Sequence, residues 1–278
     1  MQLKLVILSA LERLAALARR LRLGFLVDAL APHLSRPFER FALDVGGVRL
    51  HGTDLAQLHY VRELAEQGRD RTFVELLAAD IPPGGVVVEG GAHIGFATVH
   101  AARAAGPAGR VIVFEPNVSV HSVLSANLEI NGVADRVSIL PFALGGRTGK
   151  ARFYVSGDTS SLFDPGNAAA RVEIDVVRAD EVVGGQVDVV KLDVEGSELA
   201  ALRGMEGLLR RNHAPRALFV ECHPELLERA GASRDELLDW LRAAGYDVKW
   251  IDEANRRTAP LSEPWGEHYV NLRCLRGS

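Results

Sequence analysis

The chain has 278 residues, 47% of them hydrophobic and 24% charged, with a formal net charge of −4. This is globular composition with enough apolar material for one large domain, or for one domain plus an N-terminal extension. The negative balance argues against nucleic acid as a partner, because phosphate neutralisation needs a basic surface. Two cysteines, Cys222 and Cys274, make no disulfide framework and point to a reducing, cytoplasmic setting. No run approaches the roughly 18 apolar residues that span a bilayer. Glu12 and Arg13 interrupt the N-terminal apolar run, so a signal peptide is not expected.

Residues 2–30 read as an amphipathic helix, with Leu3, Ile7, Leu11, Leu14, Ala18, Leu21 and Phe25 recurring every three or four positions. The helix is expected to pack on the domain or on a second subunit. A membrane-surface role through Arg13, Arg19, Arg20 and Arg22 is the alternative. Pro32 and Pro37 end the pattern. A short hairpin is expected around Gly46-Gly47, from Phe41–Val45 and Val48–His51, followed by helix to about Ala79. Residues 1–80 thus form an extension, and Pro82-Pro83-Gly84-Gly85 opens a domain over 81–278.

In that domain strand and helix signals alternate. Val86–Glu89, Val111–Phe114, Val137–Leu140, Val187–Leu192, Ala217–Val220 and Tyr246–Ile251 read as strands. Helices are expected at about Ile94–Ala104, Val118–Ile130, 197–210 and 225–244. Continuous apolar strands between helices predict an α/β fold with a doubly wound, mostly parallel sheet. Residues 143–177 break the rhythm with two strand-like runs around a polar loop.

Ligands of such sheets bind beyond the carboxyl ends of the strands. The first strand runs into Glu89-Gly90-Gly91-Ala92-His93-Ile94-Gly95, where Gly91 permits close approach to the main chain and Gly95 permits close helix–strand contact. The second ends in Glu115-Pro116-Asn117, with Glu115 placed to accept hydrogen bonds from both hydroxyls of a ribose. A dinucleotide site would carry G-x-G-x-x-G under a pyrophosphate. Here the arrangement is E-x-G-x-x-x-G, and Glu89 suits a ligand with an ammonium group, such as S-adenosylmethionine. A dinucleotide-dependent oxidoreductase and a catalytically silent binding domain are the rival readings.

In order along the chain, V-V-V-E-G-G-A-H-I-G, V-F-E-P-N, L-P-F-A-L-G, S-S-L, V-V-K-L-D-V-E-G-S-E-L and L-F-V-E-C-H-P-E resemble the FkbM family of methyltransferases over roughly residues 84–250. The resemblance implies a class I methyltransferase (Rossmann-like) fold, S-adenosylmethionine as donor, and methylation of a hydroxyl on a small-molecule or sugar-containing acceptor. By position, Glu89, Gly91, Ala92, His93 and Gly95 correspond to the cofactor turn. Glu115, Pro116 and Asn117 correspond to the ribose end, and Phe142 and Ala143 to adenine contacts. Family members usually carry Asp at position 89 and Asn at position 93, where this chain has Glu89 and His93.

Asp193 and Glu195 close one strand; Glu221 and His223 close its expected neighbour. Asp193 or His223 could take the acceptor proton, with Glu195 beside them and Asp193 also bordering the cofactor. A divalent metal held by these residues is a rival arrangement, and no metal is assigned. A third reading gives Asp193 to cofactor positioning and Glu195 to capping the helix near Ser197. Lys191 is expected to share a face with Asp193 and to pair with it, and Cys222 to point into the core.

Overall fold

A computed structural model describes residue 17 and residues 42–155, 160–163, 170–210, 214–265 and 268–277. Apart from residue 17, the helix expected over 2–30 lies outside the described residues. The hairpin is present as β1 (Leu43–Val45) and β2 (Val48–Leu50), joined by Gly46 and Gly47 at positive φ, as a tight two-residue hairpin turn requires. Helices α1 (Leu55–Gln67) and α2 (Arg71–Asp80) follow. Asp54 caps α1 by accepting from the Gln57 N–H. The start of α2 is served from far along the chain, where the Glu253 carboxylate accepts from Thr72 N and Phe73 N.

The remaining elements are β3 (Val86–Gly90), α3 (Phe96–Ala105), β4 (Arg110–Phe114), α4 (His121–Ile130), β5 (Val137–Leu140), β6 (Ala143–Leu144), β7 (Gly149–Val155), β8 (Ala170–Val177) and α5 (Ala179–Val182). After them come β9 (Val189–Leu192), α6 (Glu198–Gly204), α7 (Glu206–Arg210), β10 (Ala217–Cys222), α8 (Pro224–Arg229), α9 (Arg234–Ala243), β11 (Tyr246–Asp252), β12 (Arg257–Pro260) and β13 (Val270–Arg276). The main sheet is eight-stranded in the order β12-β11-β13-β10-β9-β3-β4-β5. Strands β10, β9, β3, β4 and β5 are parallel, and β13 runs antiparallel between β10 and β11. The sheet is therefore doubly wound and mostly parallel, as the sequence predicts. Neither β12 nor β13 was expected.

Adjacent residues of the inner strands enter different cores. Val87, Val111, Val189 and Phe219 pack with α1 to α4, whereas Val88, Val190, Leu218 and Val220 pack with residues of α6 to α9. Burial on both faces is the reason these strands read as unbroken apolar runs. Cys222 is fully buried in the second core. Tyr60 and Phe73 from α1 and α2 reach the first core beside the carboxyl end of β3.

Two expected helices are each split. The chain leaves α6 at Gly204, which is packed so closely on Gly145 O that no side chain would fit, and restarts as α7. The stretch 225–244 becomes α8 and α9, because Ser233 and Glu236 form a reciprocal capping box that starts a new helix. The 143–177 insertion folds into a three-stranded sheet of order β6-β8-β7.

Candidate functional site

Strand order reverses at β3, whose chain continues to β4 on one side while β9 pairs on the other. Such a switch point opens a crevice at the carboxyl ends of the strands. The register arranges side chains there in rows. Glu89 pairs with both Val113 and Lys191, and Lys191 with Phe219. Two positions on, and so on the same face, stand Glu115, Gly91, Asp193 and Glu221, with Glu221 paired to Asn271. Ladder bonds from Gly91 N to Phe114 O, Glu115 N to Leu140 O and Asp193 N to Gly90 O hold this second row just past the strand ends.

Two clefts meet at the row. The first, of about 680 Å³, has Phe114, Val120, Ala143, Leu144, Phe153 and Leu162 as apolar walls. Its polar margin is formed by Glu115, Asn117, Ser160, Asp193, Glu195 and Ser197, and Pro116 and His93 also line it. The second, of about 760 Å³, lies on the α1/α2 side. Tyr60, Arg69, Asp70, Lys191, Glu221, Tyr269 and Asn271 line it with Ala92. Gly91, His93, Asp193 and Glu195 belong to both. Phe142, Gly95 and His223 line neither.

Gly91 has φ +75°, and a Cβ there would sit 1.9 Å from Asp193 O. The sequence reading opens Gly91 to a ligand; in the fold the space is taken by the main chain of the neighbouring strand end. Gly95 likewise serves a different neighbour. A Cβ on it would meet Leu124 Cδ1 of α4 at 2.6 Å, so the contact it permits is between the turn and a helix. Phe142 packs against the second core and leaves the cleft wall to Ala143 and Leu144.

Glu115 organises the turn. Its Oε2 accepts from Ala92 N at 3.1 Å and His93 N at 2.9 Å, and its Oε1 from Asn117 N at 2.9 Å. A carboxylate offers about four lone-pair sites, so one remains, on Oε1. That is room for one ribose hydroxyl in this geometry, not two. Asn117 turns its own side chain back to Ser119 N and Oγ.

Glu89 lies 1% exposed beneath the row with neither oxygen in a well-formed hydrogen bond. Burial raises its pKa, opposed by Lys191 and the Thr98 hydroxyl. The Lys191 ammonium is 3.6 Å from Glu89 Oε1, 3.5 Å from Asp193 Oδ2, and donates to Gly91 O. Burial disfavours its charge, yet Asp193, Glu89 and Glu221 together hold its pKa above the ordinary lysine value. Lys191 is thus a fixed cation that ties both rows to the glycine turn, and the pairing with Asp193 expected from sequence is present.

Asp193, 39% exposed at its side chain, is open to both clefts. Glu195 adopts φ +52°, and Glu198 accepts from Val194 N at 3.0 Å and Gly196 N at 3.2 Å, tying the turn that leads into α6. Burial pushes the Glu198 carboxyl up to about 7. Backbone strain is concentrated here: among the described residues the non-glycine positions at positive φ are Asp70, His93, Glu195 and Arg256, and the first three line the second cleft.

That cleft is walled by a stack of rings that sequence reasoning missed. His93 lies 5.3 Å from Tyr60, the Arg69 guanidinium sits 5.6 Å over Tyr60 and 5.9 Å over Tyr269, and Tyr269 stacks on His223 at 6.1 Å. Arg69 also pairs with Glu63 at 3.1 Å. His223 therefore stands behind Tyr269, and the structure does not bring it to Asp193 within the cleft. Its burial lowers its pKa from the ordinary histidine value. No spacing links Tyr60, Arg69 and Tyr269. The alternation Val270-Asn271-Leu272-Arg273-Cys274 could have located β13, and with it the neighbouring Tyr269.

Among the described residues no group of three or more His, Cys, Asp and Glu is placed to hold a metal ion, and no helix is long and apolar enough to cross a membrane. The first cleft fits an adenosyl group: flat apolar walls for a purine, and a buried carboxylate with an acceptor site left at one end.

The chain is 40% identical over 91 residues to the catechol O-methyltransferase of Mycobacterium tuberculosis, covering 33% of this chain and 40% of that one. It is 25% identical over 253 residues to the AMB antimetabolite synthetase AmbE of Pseudomonas aeruginosa, covering 75% of this chain and 11% of that one. It thus spans well under two thirds of the length of these curated relatives. Among solved structures, the FkbM methyltransferase of Methylobacillus flagellatus is 16% identical with a TM-score of 0.44, covering 90% of this chain and 60% of that one. The family model described as the methyltransferase FkbM domain matches residues 89–248, more than half of the chain. The chain belongs to the FkbM family of S-adenosylmethionine-dependent methyltransferases.

Proposed function

We propose that this protein transfers a methyl group from S-adenosylmethionine to a hydroxyl oxygen of a small-molecule or sugar-containing acceptor. The observation that carries the reading is the meeting of the two clefts at Gly91 and Asp193. An apolar slot that ends in Glu115 suits the adenosyl part of the donor. A polar chamber beside it on the α1/α2 side, rich in hydroxyl, carboxyl and guanidinium groups, suits a hydrogen-bonding acceptor.

S-adenosylmethionine supplies an electrophilic methyl group on a sulfonium whose leaving group is a neutral thioether. The chain's task is then alignment and proton management. Glu115 anchors the ribose end, and the Gly91–His93 turn, held by Glu115 and Lys191, fixes the donor's position. Alignment of two reacting atoms in this way removes much of the entropic barrier of a bimolecular reaction. Asp193, open to both clefts, is placed to take the acceptor proton. The O-methyltransferase name of the mycobacterial relative supports oxygen as the accepting atom.

The test is transfer from methyl-labelled S-adenosylmethionine to a panel of hydroxylated small molecules and glycosides, with the labelled atom located by mass spectrometry. Label on oxygen is expected. Label found only on nitrogen or carbon would reject the hydroxyl acceptor and leave the methyltransferase assignment in place.

A further inference from the structure

The sheet register sets Glu221 beside Asp193. Lys191 pairs with Phe219 and Leu192 with Val220, so the next positions on the same face are Asp193 and Glu221. Both line the acceptor cleft. Neighbouring strands lie about 4.8 Å apart, so two carboxyls at adjacent positions repel unless a proton lies between them, because ionised carboxylates offer only acceptors. We propose that Asp193 and Glu221 hold one proton between them, and that this pair, in place of His223, receives the acceptor's hydroxyl proton. The inference rests on the reading that a hydroxyl is methylated in the second cleft.

The surroundings favour one ionised and one neutral member. Groups facing Glu221 are Asp193, Glu195 and Glu198 from the β9 end, Lys191 from within β9, and Tyr269 from the segment before β13. Burial first, and then the three acids, raises the Glu221 pKa well above the ordinary carboxyl value. Lys191 stands 3.5 Å from Asp193 Oδ2 and favours the negative charge there. The neutral Glu221 can donate to Asp193 and keep its anion oriented. Like charges forced together in this way separate two carboxyls into an acid and a base.

The step balances. The bond from acceptor oxygen to methyl carbon forms as the sulfonium carbon–sulfur bond breaks, and the hydroxyl proton passes to Asp193. The positive charge lost from sulfur is matched by the negative charge neutralised on the carboxylate. The cleft then returns the proton to solvent.

The experiment is a carbon-13 titration of glutamate side-chain carboxyls in the full chain. The Glu221 and Glu198 signals are assigned by their loss in Glu221→Gln and Glu198→Gln, conservative changes that keep side-chain shape. The proposal predicts that Glu221 stays protonated at pH 7, and that Asp193→Asn lowers its titration midpoint by at least one pH unit. A Glu221 signal that titrates near 4.3, the ordinary glutamate value, would overturn the proposal. A midpoint unmoved by Asp193→Asn would do so too. With any acceptor the protein methylates, Asp193→Asn should lower kcat by roughly 10²–10⁴, the scale of a lost general base. His223→Gln should lower it less than tenfold, and the reverse order would return the proton to His223. Calorimetry with S-adenosylhomocysteine separates the levels. A wild-type protein that binds none refutes the methyl-transfer reading itself, whereas normal binding with an ionised Glu221 refutes the pair alone.

Discussion

Gly91 and Asp193 are in main-chain contact so close that a single added carbon on Gly91 would lie 1.9 Å from Asp193 O. Their contact joins the glycine turn of β3 to the end of β9, and both residues line both clefts. Backbone packing therefore fixes how the two clefts meet.

Gly91→Ala tests this. The positive φ costs an alanine about 1–3 kcal/mol and overpacking a further 1–3. The substitution should lower stability in urea by roughly 2–6 kcal/mol, the sum of these two costs, and weaken S-adenosylhomocysteine binding more than tenfold. Normal stability and affinity would show that the strand ends can part without consequence.

Glu198 carries a pH prediction. Its folded pKa is raised to about 7 from 4.5 by burial. A carboxyl raised in this way binds protons more readily folded than unfolded, so it costs stability as pH climbs from 4.5 to 7, and costs nothing below 4.5. Glu198→Gln keeps an oxygen for Val194 N and Gly196 N and removes the charge. The Tm of the variant should fall less than that of wild type between pH 5 and pH 8. Parallel Tm curves would mean that Glu198 titrates normally.

Tyr269 stacks on His223 and flanks Arg69, so it shapes the second cleft, the proposed acceptor site, without lining the first one. Tyr269→Ala should leave S-adenosylhomocysteine affinity within twofold and raise the acceptor KM at least tenfold. An equal loss of cofactor affinity would place Tyr269 in the donor site instead.

The parts of this site that were legible in the sequence share one cause. Strands buried on both faces are apolar runs, and the residues that break such a run at its carboxyl end are the ones a ligand meets. Glu89, Gly91, Glu115, Asp193 and Glu221 could all be found in that way. The acceptor wall could not, because Tyr60 and Arg69 come from the extension and Tyr269 precedes a strand that returns antiparallel. Glu198, which ties the turn before α6, was not found, because positive φ at Glu195 and Gly196 reverses the chain, a turn that helical periodicity does not reveal. His223 follows Glu221 by two, but β10 ends at Cys222 and His223 already begins the next helix. Strand alternation no longer governs where its ring points.

The central claim is that the first cleft holds the adenosyl group against Glu115. Glu115→Ala removes the acceptor for one ribose hydroxyl and for the N–H groups of Ala92, His93 and Asn117. Hydrogen bonds to a charged group contribute about 1.5–3 kcal/mol each before losses. The most direct measurement is calorimetric titration of S-adenosylhomocysteine into wild type and Glu115→Ala, with circular dichroism to verify the fold. Binding to wild type that falls at least tenfold in the variant is the expected result. Equal affinity in the two proteins, or no binding to wild type, would contradict the account.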